Sequence, residues 1–326
     1  MSGASPLLDV QVDAMSAQGA GNLALELVST NGDPLPAFAA GAHVDVHLPN
    51  GLVRQYSIAS TPADRLRYLL CVRRGAASRG GSAFVHERLR VGDRLRISAP
   101  RNLFALREGR HHVLVAGGIG ITPLMAMAHR LRADGCSFEL HYYARSLDEV
   151  AFRRQLQAGL GQGAVHLHCA DQGRDARQVL PEVLANGHPA HHLYLCGPAA
   201  FMAHLSSAAL ARGWPADNIH SEAFAPVAAA SADADAGETG FEVALASSGQ
   251  VFTVAPGRSI ASVLSECGVD ISLSCEMGMC GACLTDVVDG IPDHRDTVQS
   301  EQEKLSNRQM TLCCSRSHSP RLTLAL

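Results

Sequence analysis

The first third of the chain consists of short apolar runs separated by turn residues. Segments 44–48 (VDVHL) and 68–72 (YLLCV) are rich in aliphatic, β-branched and aromatic residues, and Gly, Pro and Asn punctuate the sequence between such runs. This pattern is typical of short antiparallel strands joined by tight turns. It predicts an antiparallel β-barrel over residues 1–105.

From residue 106 onward, buried strand patterns alternate with helical ones. Residues 111–135 combine an apolar strand, a glycine turn and an amphipathic helix, whose first residue we expect to be Pro123. A second strand over 138–145, a third over 192–196 and a helix over 198–213 follow. Strands that alternate with helices indicate a parallel sheet, so we predict an α/β domain over residues 106–226.

The stretch PVAAASADADAGETG, residues 226–240, differs from both of these patterns. It holds only small, acidic and flexible residues, and so offers too little apolar surface to offset the entropy cost of ordering. We predict a linker over residues 227–240 and an independent domain over residues 241–326.

Composition and charge exclude several classes of function. The net charge of −4 and the scattered basic residues do not suggest contact with nucleic acid or with an anionic membrane surface. The first thirty residues lack the pattern of a signal peptide, and no apolar run is long enough to cross a bilayer. We therefore expect a cytoplasmic protein, in which the ten cysteines stay reduced and a cysteine cluster indicates a metal site.

Four cysteines near the carboxyl end have a distinctive spacing. Cys275, Cys280 and Cys283 lie in the segment CEMGMCGAC, and Cys313 follows thirty positions later. This is the plant-type spacing of a [2Fe–2S] cluster, in which four thiolates surround two tetrahedral irons. Zinc also accepts four thiolates, but its ligands usually come as two C-x2-C pairs.

Either of two neighbouring cysteines could be the fourth ligand. Cys313 and Cys314 are adjacent, and neighbours on a strand point to opposite sides. The plant-type gap favours Cys313. Gly278 and Gly281 allow the loop to bend so that its backbone N–H groups face the sulfurs.

Two glycine-containing tips are candidate nucleotide sites. Gly118, Gly120 and Thr122 lie between a strand and a helix, where glycines permit close approach of a pyrophosphate and the helix terminus supplies N–H donors. The turn departs from G-x-G-x-x-G, so a purely structural turn is the alternative. The tip Cys196-Gly197-Pro198 ends another strand, and ligands of open α/β sheets bind beyond such strand ends.

A third candidate site lies in the predicted barrel. Residues 54–57 (RQYS) offer a cation for a phosphate, an aromatic ring for a flavin and a hydroxyl group, although an ordinary surface strand would also fit them. Residues 79–82 (RGGS) offer backbone N–H groups to an anion. A flavin is expected in a chain with a one-electron cluster, because cellular reductant arrives as a two-electron hydride.

These motifs stand in the order found in the phthalate dioxygenase reductase family, which the chain resembles over nearly its whole length. The resemblance rests on the RQYS and GGS segments, on GGIGITP and YLCGP, and on the four cysteines followed by Ser315-Arg316. It implies a multi-domain fold: an FMN-binding antiparallel β-barrel like that of ferredoxin reductases, an α/β NAD(H) domain and an α+β, β-grasp ferredoxin domain. It also implies electron transfer from NADH to a Rieske-type oxygenase component.

The resemblance assigns roles to individual residues. FMN contacts are implied for the strand and loop residues Arg54, Gln55, Tyr56, Ser57, Gly80, Gly81 and Ser82. NADH contacts are implied for Gly118, Gly120, Thr122, Cys196, Gly197 and Pro198, with ribose recognition at Arg145 and Ser146. A solvated loop cation is the alternative for Arg145. Glu222 and Phe224 match the end of the family's NAD domain, and Phe224 is expected near the flavin. The sparse basic residues around Arg145 favour NADH over NADPH.

We therefore expect a monomeric electron-transfer enzyme in which no side chain acts as an acid or base. Alternatives are a reductase of a cytochrome P450, a general diaphorase, or, in another class, a redox-sensing module. The sixteen histidines include the adjacent pairs at 111–112 and 191–192, which cannot easily share one ion because strand neighbours point apart. We predict that the histidines lie at the surface or at strand edges.

Overall fold

The computed structural model describes residues 7–75, 80–185, 187–224 and 239–326. The chain divides into two compact units, residues 1–224 and 225–326. Residues 227–238 of the predicted linker lie outside the described residues. None of the helices in the described ranges combines the length and the apolar character that crossing a bilayer requires.

The amino-terminal part of the first unit is a six-stranded antiparallel sheet. Its elements are β1 (Leu8–Ala17), β2 (Asn22–Ser29), β3 (His43–His47), β4 (Val53–Ser57), β5 (Arg67–Arg73), α1 (Gly81–Glu87) and β6 (Arg94–Ile97). The strand order is β4-β3-β6-β1-β2-β5, and a bridge between Ile58 and Leu70 joins the two ends of the sheet. This closure confirms the predicted antiparallel barrel.

Alternation of side chains along the strands builds the barrel core. Val10 and Val12 on β1 are fully buried, whereas the neighbouring Asp9 and Asp13 are exposed. Because successive strand residues point to opposite faces, this two-residue period places the aliphatic side chains inside. Each such burial contributes about 1.5–3 kcal/mol.

The second part of the first unit is a five-stranded parallel sheet, as predicted. Its elements are β7 (His111–Gly117), α2 (Ile121–Ala133), β8 (Ser137–Ala144), α3 (Arg153–Ala158), β9 (Ala164–Cys169), β10 (His191–Cys196), α4 (Ala199–Leu210) and β11 (Ile219–Glu222). The strand order is β11-β10-β7-β8-β9. Helices α2 and α4 pack on opposite faces, because α2 joins a core with Leu114 and Leu140 while α4 joins one with Val113 and Leu195.

The start of α2 differs from the sequence prediction. The helix begins at Ile121, and a short 3-10 turn over Gly118–Gly120 leads into it, so Pro123 is the third helical residue rather than the first. Proline is tolerated there because the first four N–H groups of a helix have no partner within the helix.

The second unit has its own mixed sheet and its own core. Its elements are β12 (Phe241–Leu245), β13 (Val251–Val254), α5 (Ile260–Glu266), β14 (Leu284–Asp289), β15 (Pro292–Asp293), α6 (Glu301–Ser306), β16 (Gln309–Thr311), β17 (Arg316–Ser317) and β18 (Arg321–Leu324). The sheet order is β13-β12-β18-β14-β16, with β12 and β18 parallel. Leu264 of α5 packs into the core beside Val243 and Leu322, as expected for the β-grasp arrangement.

Several histidines are buried, contrary to the sequence prediction. His112, His141 and His168 lie inside the first unit on β7, β8 and β9. Nε2 of His112 lies 2.9 Å from the carbonyl oxygen of Arg107, and Nδ1 of His141 lies 3.2 Å from Nε2 of His168. The prediction was wrong because it compared neighbours along one strand, whereas these imidazoles find partners across strands and loops.

Candidate functional site

The loop from Cys275 to Cys283 folds back on itself through residues with positive φ. These are Glu276 at 54°, Gly278 at 71° and Gly281 at 67°. Glycine adopts this conformation freely, whereas Glu276 does so at a cost of about 1–2 kcal/mol. The repeated left-handed residues turn successive peptide groups toward the same side of the loop.

Four backbone N–H groups of this loop donate to cysteine sulfurs. They are the N–H groups of Met277 and Met279 to Cys275 at 3.3 and 3.4 Å, Gly278 to Cys313 at 3.2 Å, and Ala282 to Cys280 at 3.4 Å. Contacts with the thiols of Cys280 and Cys313, together with the two amides, lower the pKa of Cys275. The same contacts between thiols raise the pKa of Cys280 and Cys313, so it is the four N–H donors that favour thiolates, the form that binds metal.

Cys313 and Cys314 have different surroundings. The sulfur of Cys313 accepts the Gly278 N–H and is in contact with the thiols of Cys275 and Cys283. The sulfur of Cys314 is in contact with the thiol of Cys313 and lies 3.2 Å from the hydroxyl of Thr311. The geometry thus groups Cys313 with the other three cysteines, and these four sulfurs fit the donor set of a [2Fe–2S] cluster.

A buried turn behind the loop holds it in place. Asp296 is only 3% exposed and accepts the Gln299 N–H at 2.9 Å, while the Thr297 N–H donates to the carbonyl of Gly278 at 3.0 Å. The sequence shows only an Asp-containing turn at 293–296, which is more often solvated. Its burial depends on packing against a loop that lies about twenty residues earlier.

The two glycine tips of the parallel sheet touch each other. A Cβ atom at Gly120 would lie 2.1 Å from the carbonyl oxygen of Cys196, and one at Gly197 would lie 3.0 Å from Cα of Gly117. Both tips follow adjacent strands, since β7 and β10 pair in parallel. Glycine is required here because the two backbones approach more closely than any side chain allows.

A cavity of about 530 Å³ opens beside these tips. Three of the predicted residues line it, namely Gly118, Arg145 and Pro198. Tyr143 and Phe201 add aromatic walls. The cavity lies at the carboxyl ends of the parallel strands, where nucleotides bind in sheets of this kind.

Two residues of the barrel also line the cavity. The sequence pattern does not indicate this contribution. Asn22 and Arg73 come from β2 and β5 and line the cavity beside the glycine turn. Arg73 and Arg145 both pair with Glu149, at 3.3 and 3.7 Å. The side chain of Arg145 is 76% exposed, so its guanidinium remains accessible to an anionic ligand.

Thr122 and Ser146 do not line the cavity. The hydroxyl of Thr122 donates to the carbonyl of Ile119 at 3.1 Å, which stabilises the glycine turn. Ser146 precedes a short 3-10 turn over Leu147–Glu149 and is not among the residues that line the cavity.

Three of the predicted flavin residues, Arg54, Gly80 and Gly81, come together at the start of α1. A Cβ atom at Gly81 would lie 2.6 Å from Cγ of Arg54, so the arginine side chain passes directly over the first turn of this helix. Gly80 precedes the helix with φ of 86°. A guanidinium beside the first turn of a helix is a suitable place for a phosphate.

The other predicted flavin residues of β4 follow Arg54 along the same strand. Burial raises the pKa of the Tyr56 hydroxyl to about 12, so it stays protonated and can donate a hydrogen bond. Nε2 of Gln55 is buried and has no hydrogen-bond partner among the described residues. Ser57 is buried, and the hydroxyl of Ser82 accepts the Gly75 N–H at 3.2 Å. A buried amide donor without a partner is consistent with a polar ligand at this strand.

Glu222 and Phe224 follow the last parallel strand. Glu222 pairs in register with Cys196, and its Oε2 atom is buried without a hydrogen-bond partner among the described residues. Burial raises the pKa of this carboxyl to about 8. The side chain of Phe224 is 37% exposed.

The raised pKa of Glu222 predicts a pH-dependent stability of the first unit. Burial lowers the pKa of His141 to about 3 and those of His168 and His220 to about 4, so these imidazoles make the unit more stable as pH rises toward about 6.5, and the net fall is expected above that pH. The Glu222 carboxyl ionises at pH 4.5 when it is unperturbed but keeps its proton to about pH 8 in the fold, so its own contribution to the free energy of unfolding falls as pH rises between these values. The loss amounts to roughly 5 kcal/mol at most. Urea unfolding followed by the fluorescence of Trp214, the single tryptophan, measures it at pH 5, 7 and 9. Glu222→Gln should remove most of the fall between pH 7 and pH 9; an unchanged fall in this range would contradict the assignment.

Two family profiles match this chain. One is described as the 2Fe-2S iron-sulfur cluster binding domain and covers residues 243–318. The other is described as the N-terminal domain of the dimethylamine monooxygenase subunit DmmA-like and covers residues 97–219. The first contains all four cysteines, and the second contains both glycine tips.

Relatives extend the likeness to the whole chain. A vanillate O-demethylase oxidoreductase of Pseudomonas sp. is 45% identical over 98% of this chain and 100% of its own length. The structure of phthalate dioxygenase reductase, described as modular for electron transfer from pyridine nucleotides to [2Fe-2S], is 36% identical, with a TM-score of 0.74 and 98% coverage of both chains. An intact type IV self-sufficient cytochrome P450 monooxygenase is 36% identical with a TM-score of 0.85, and the match covers 98% of this chain and 41% of that one. The chain belongs to the phthalate dioxygenase reductase family of oxidoreductases, as its motifs predicted.

Proposed function

We propose that this protein is the reductase component of a Rieske-type oxygenase, and that it transfers electrons from NADH through FMN to a [2Fe–2S] cluster. The observation that carries the proposal is the convergence of four cysteine sulfurs with four amide donors, in a chain that also holds a nucleotide-sized cavity at paired glycine tips. When bound, a flavin and a cluster convert the two electrons of a hydride into single electrons.

The residues of the chain bind and orient these groups. Arg54 and the first turn of α1 hold the flavin phosphate, while Tyr56 and Ser57 face the ring system. Gly118 and Gly120 let the pyrophosphate of NADH approach the start of α2, and Arg145 contacts its ribose end. Cys196, Gly197 and Pro198 border the nicotinamide, with Phe224 beside the flavin. No step needs a side-chain acid or base, because placement of the reacting rings supplies the catalysis.

FMN, rather than FAD, is proposed from the family resemblance, with its phosphate at Arg54 and the first turn of α1. Heating the protein to release the flavin, and then measuring the mass of the released flavin, distinguishes FMN from FAD. The division of the first unit at residues 105–106 and the role of Cys313 as the fourth ligand are proposed on the same basis, the latter supported by the Gly278 N–H to Cys313 contact of 3.2 Å.

The protein is proposed to act as a monomer in the cytoplasm. All ten cysteines are free thiols, which fits a reducing compartment. A reductase must release its partner after each electron, so a small and transient contact is expected. A cytochrome P450 is the second candidate acceptor, favoured by the match to part of a P450 monooxygenase.

An anaerobic titration with dithionite tests the cofactor chain. We expect the purified protein to accept three electrons, two at the flavin and one at the cluster, with an electron paramagnetic resonance signal from the reduced cluster. Uptake of two electrons without a cluster signal, in protein that keeps its iron, would refute the proposal. The acceptor is tested separately by NADH-driven reduction of a purified Rieske oxygenase and of a P450, and faster reduction of the P450 would transfer the proposal to that class.

A further inference from the structure

A cluster of imidazoles and one carboxylate lies on the parallel sheet, away from the strand ends that border the nucleotide cavity. Glu139 and His141 are two residues apart on β8 and so point to the same side. His166 of β9 is in register with His141, and His111 of β7 is in register with Ser137. The fold thus brings side chains from three neighbouring strands to one place near their amino ends.

The donor atoms of these side chains lie within the range of one metal ion. Oε2 of Glu139 is 3.1 Å from Nε2 of His141 and 3.9 Å from Nε2 of His166. The three ligand atoms of Glu139, His141 and His166 lie within 4.8 Å of one another. Ligands about 2.0–2.1 Å from a tetrahedral ion are separated by about 3.4 Å, so the observed distances bracket those that zinc requires.

Two of the three side chains are already fixed. His141 is 4% exposed, and its Nδ1 lies 3.2 Å from Nε2 of His168, a contact that orients the ring and leaves Nε2 directed at Glu139. A partner at the second ring nitrogen is what histidine ligands of metals commonly have. The other carboxylate oxygen of Glu139 lies 3.6 Å from Nε2 of His111.

The third side chain must turn to complete the set. The ring of His166 stacks on His141 with centroids 4.5 Å apart and an angle of 12° between the planes, so one ion cannot lie in the planes of both rings. β9 is an edge strand and the His166 side chain is 45% exposed, so it can rotate without disturbing the core. Binding therefore requires movement of one exposed side chain.

We propose that Glu139, His141 and His166 bind a divalent transition-metal ion of the zinc class, with water in the remaining position. Two imidazoles and one carboxylate suit zinc, nickel and copper better than calcium or magnesium, which prefer oxygen ligands alone. The site contains no sulfur and is separate from the cysteine cluster in its donor chemistry. Nε2 of His111 lies 3.6 Å from the second oxygen of Glu139, and His168 positions His141.

Titration of the full protein, loaded with its iron and flavin, with Zn²⁺ tests the site. Zinc and iron are counted per chain after equilibrium dialysis, and calorimetry gives the affinity. We expect one zinc per chain with unchanged iron. X-ray absorption at the zinc edge should show only nitrogen and oxygen neighbours at about 2.0–2.1 Å, and a sulfur shell near 2.3 Å would overturn the proposal.

Substitutions test whether Glu139 and His166 bind the zinc ion. His166→Ala and Glu139→Gln should each weaken zinc affinity at least tenfold, and both residues are exposed enough for the fold to tolerate the change. The matched control is His129→Gln on α2, which should bind zinc like the unmodified protein. Equal affinity in all four proteins, zinc gained only as iron is lost, or no binding below about 100 μM Zn²⁺ would each refute the site.

Discussion

Gly278→Ala should yield protein that retains less than a tenth of its iron. The residue has φ of 71°, which costs alanine about 1–2 kcal/mol, and the added Cβ would lie 2.4 Å from the sulfur of Cys314 and 3.0 Å from Cα of Asp296. The second neighbour is backbone of a buried turn, so the loop itself must move. That movement withdraws the Gly278 N–H from the sulfur of Cys313. Iron analysis and visible absorbance of the purified variant measure the loss.

Gly268→Ala is the matched control in the same unit. Its φ of 81° carries the same conformational cost, but nothing lies within 4 Å of the added Cβ. The control should keep its iron and lose only about 1 kcal/mol of stability. If both variants keep their iron, the close packing behind Gly278 does not determine cluster binding.

Gly120→Ala should destabilise the first unit by at least about 3 kcal/mol and abolish tight NADH binding. Its φ of −60° suits alanine, so backbone strain plays no part. The added Cβ would instead lie 2.1 Å from the carbonyl oxygen of Cys196 and 2.8 Å from the nitrogen of Gly197. Both contacts are with backbone, so the ends of β7 and β10 must separate. Urea unfolding monitored by Trp214 fluorescence gives the stability, and flavin bleaching by NADH gives the affinity.

Gly135→Ala separates this effect from glycine replacement in general. Gly135 follows α2 with φ of 67° and has nothing within 4 Å of an added Cβ. We expect this control to lose about 1 kcal/mol and to bind NADH normally. A Gly120 variant as stable as this control would show that the tips can separate freely.

The sequence predicts those parts of the site that depend on local spacing. Cys275, Cys280 and Cys283 lie in one loop, and the strand, glycine turn and helix around Gly120 lie in one segment. Both patterns can therefore be recognised from residue spacing in the sequence. Arg73 cannot be recognised in this way. It reaches the nucleotide cavity only because the barrel packs beside the parallel sheet within the first unit.

The proximity of His141 and His166 could likewise not be predicted from the sequence. His141 and His166 are twenty-five positions apart, and only the register of β8 with β9 brings them together. A sequence shows which residues share a face of one strand, but strand order and register arise from the packing of the whole sheet. The burial of Asp296 likewise depends on a distant loop.

The separate cores of the two units affect how a preparation of this protein loses quality during storage. Each unit buries its own apolar cluster, so each can unfold without the other and no single melting temperature describes the molecule. We expect protein whose second unit has unfolded still to oxidise NADH with an artificial dye, because the residues proposed to bind flavin and nucleotide all lie in the first unit. Such a sample would look active in the simplest assay and yet deliver no electrons to an oxygenase. Iron content per chain, rather than dye reduction, is therefore the measure of intact protein.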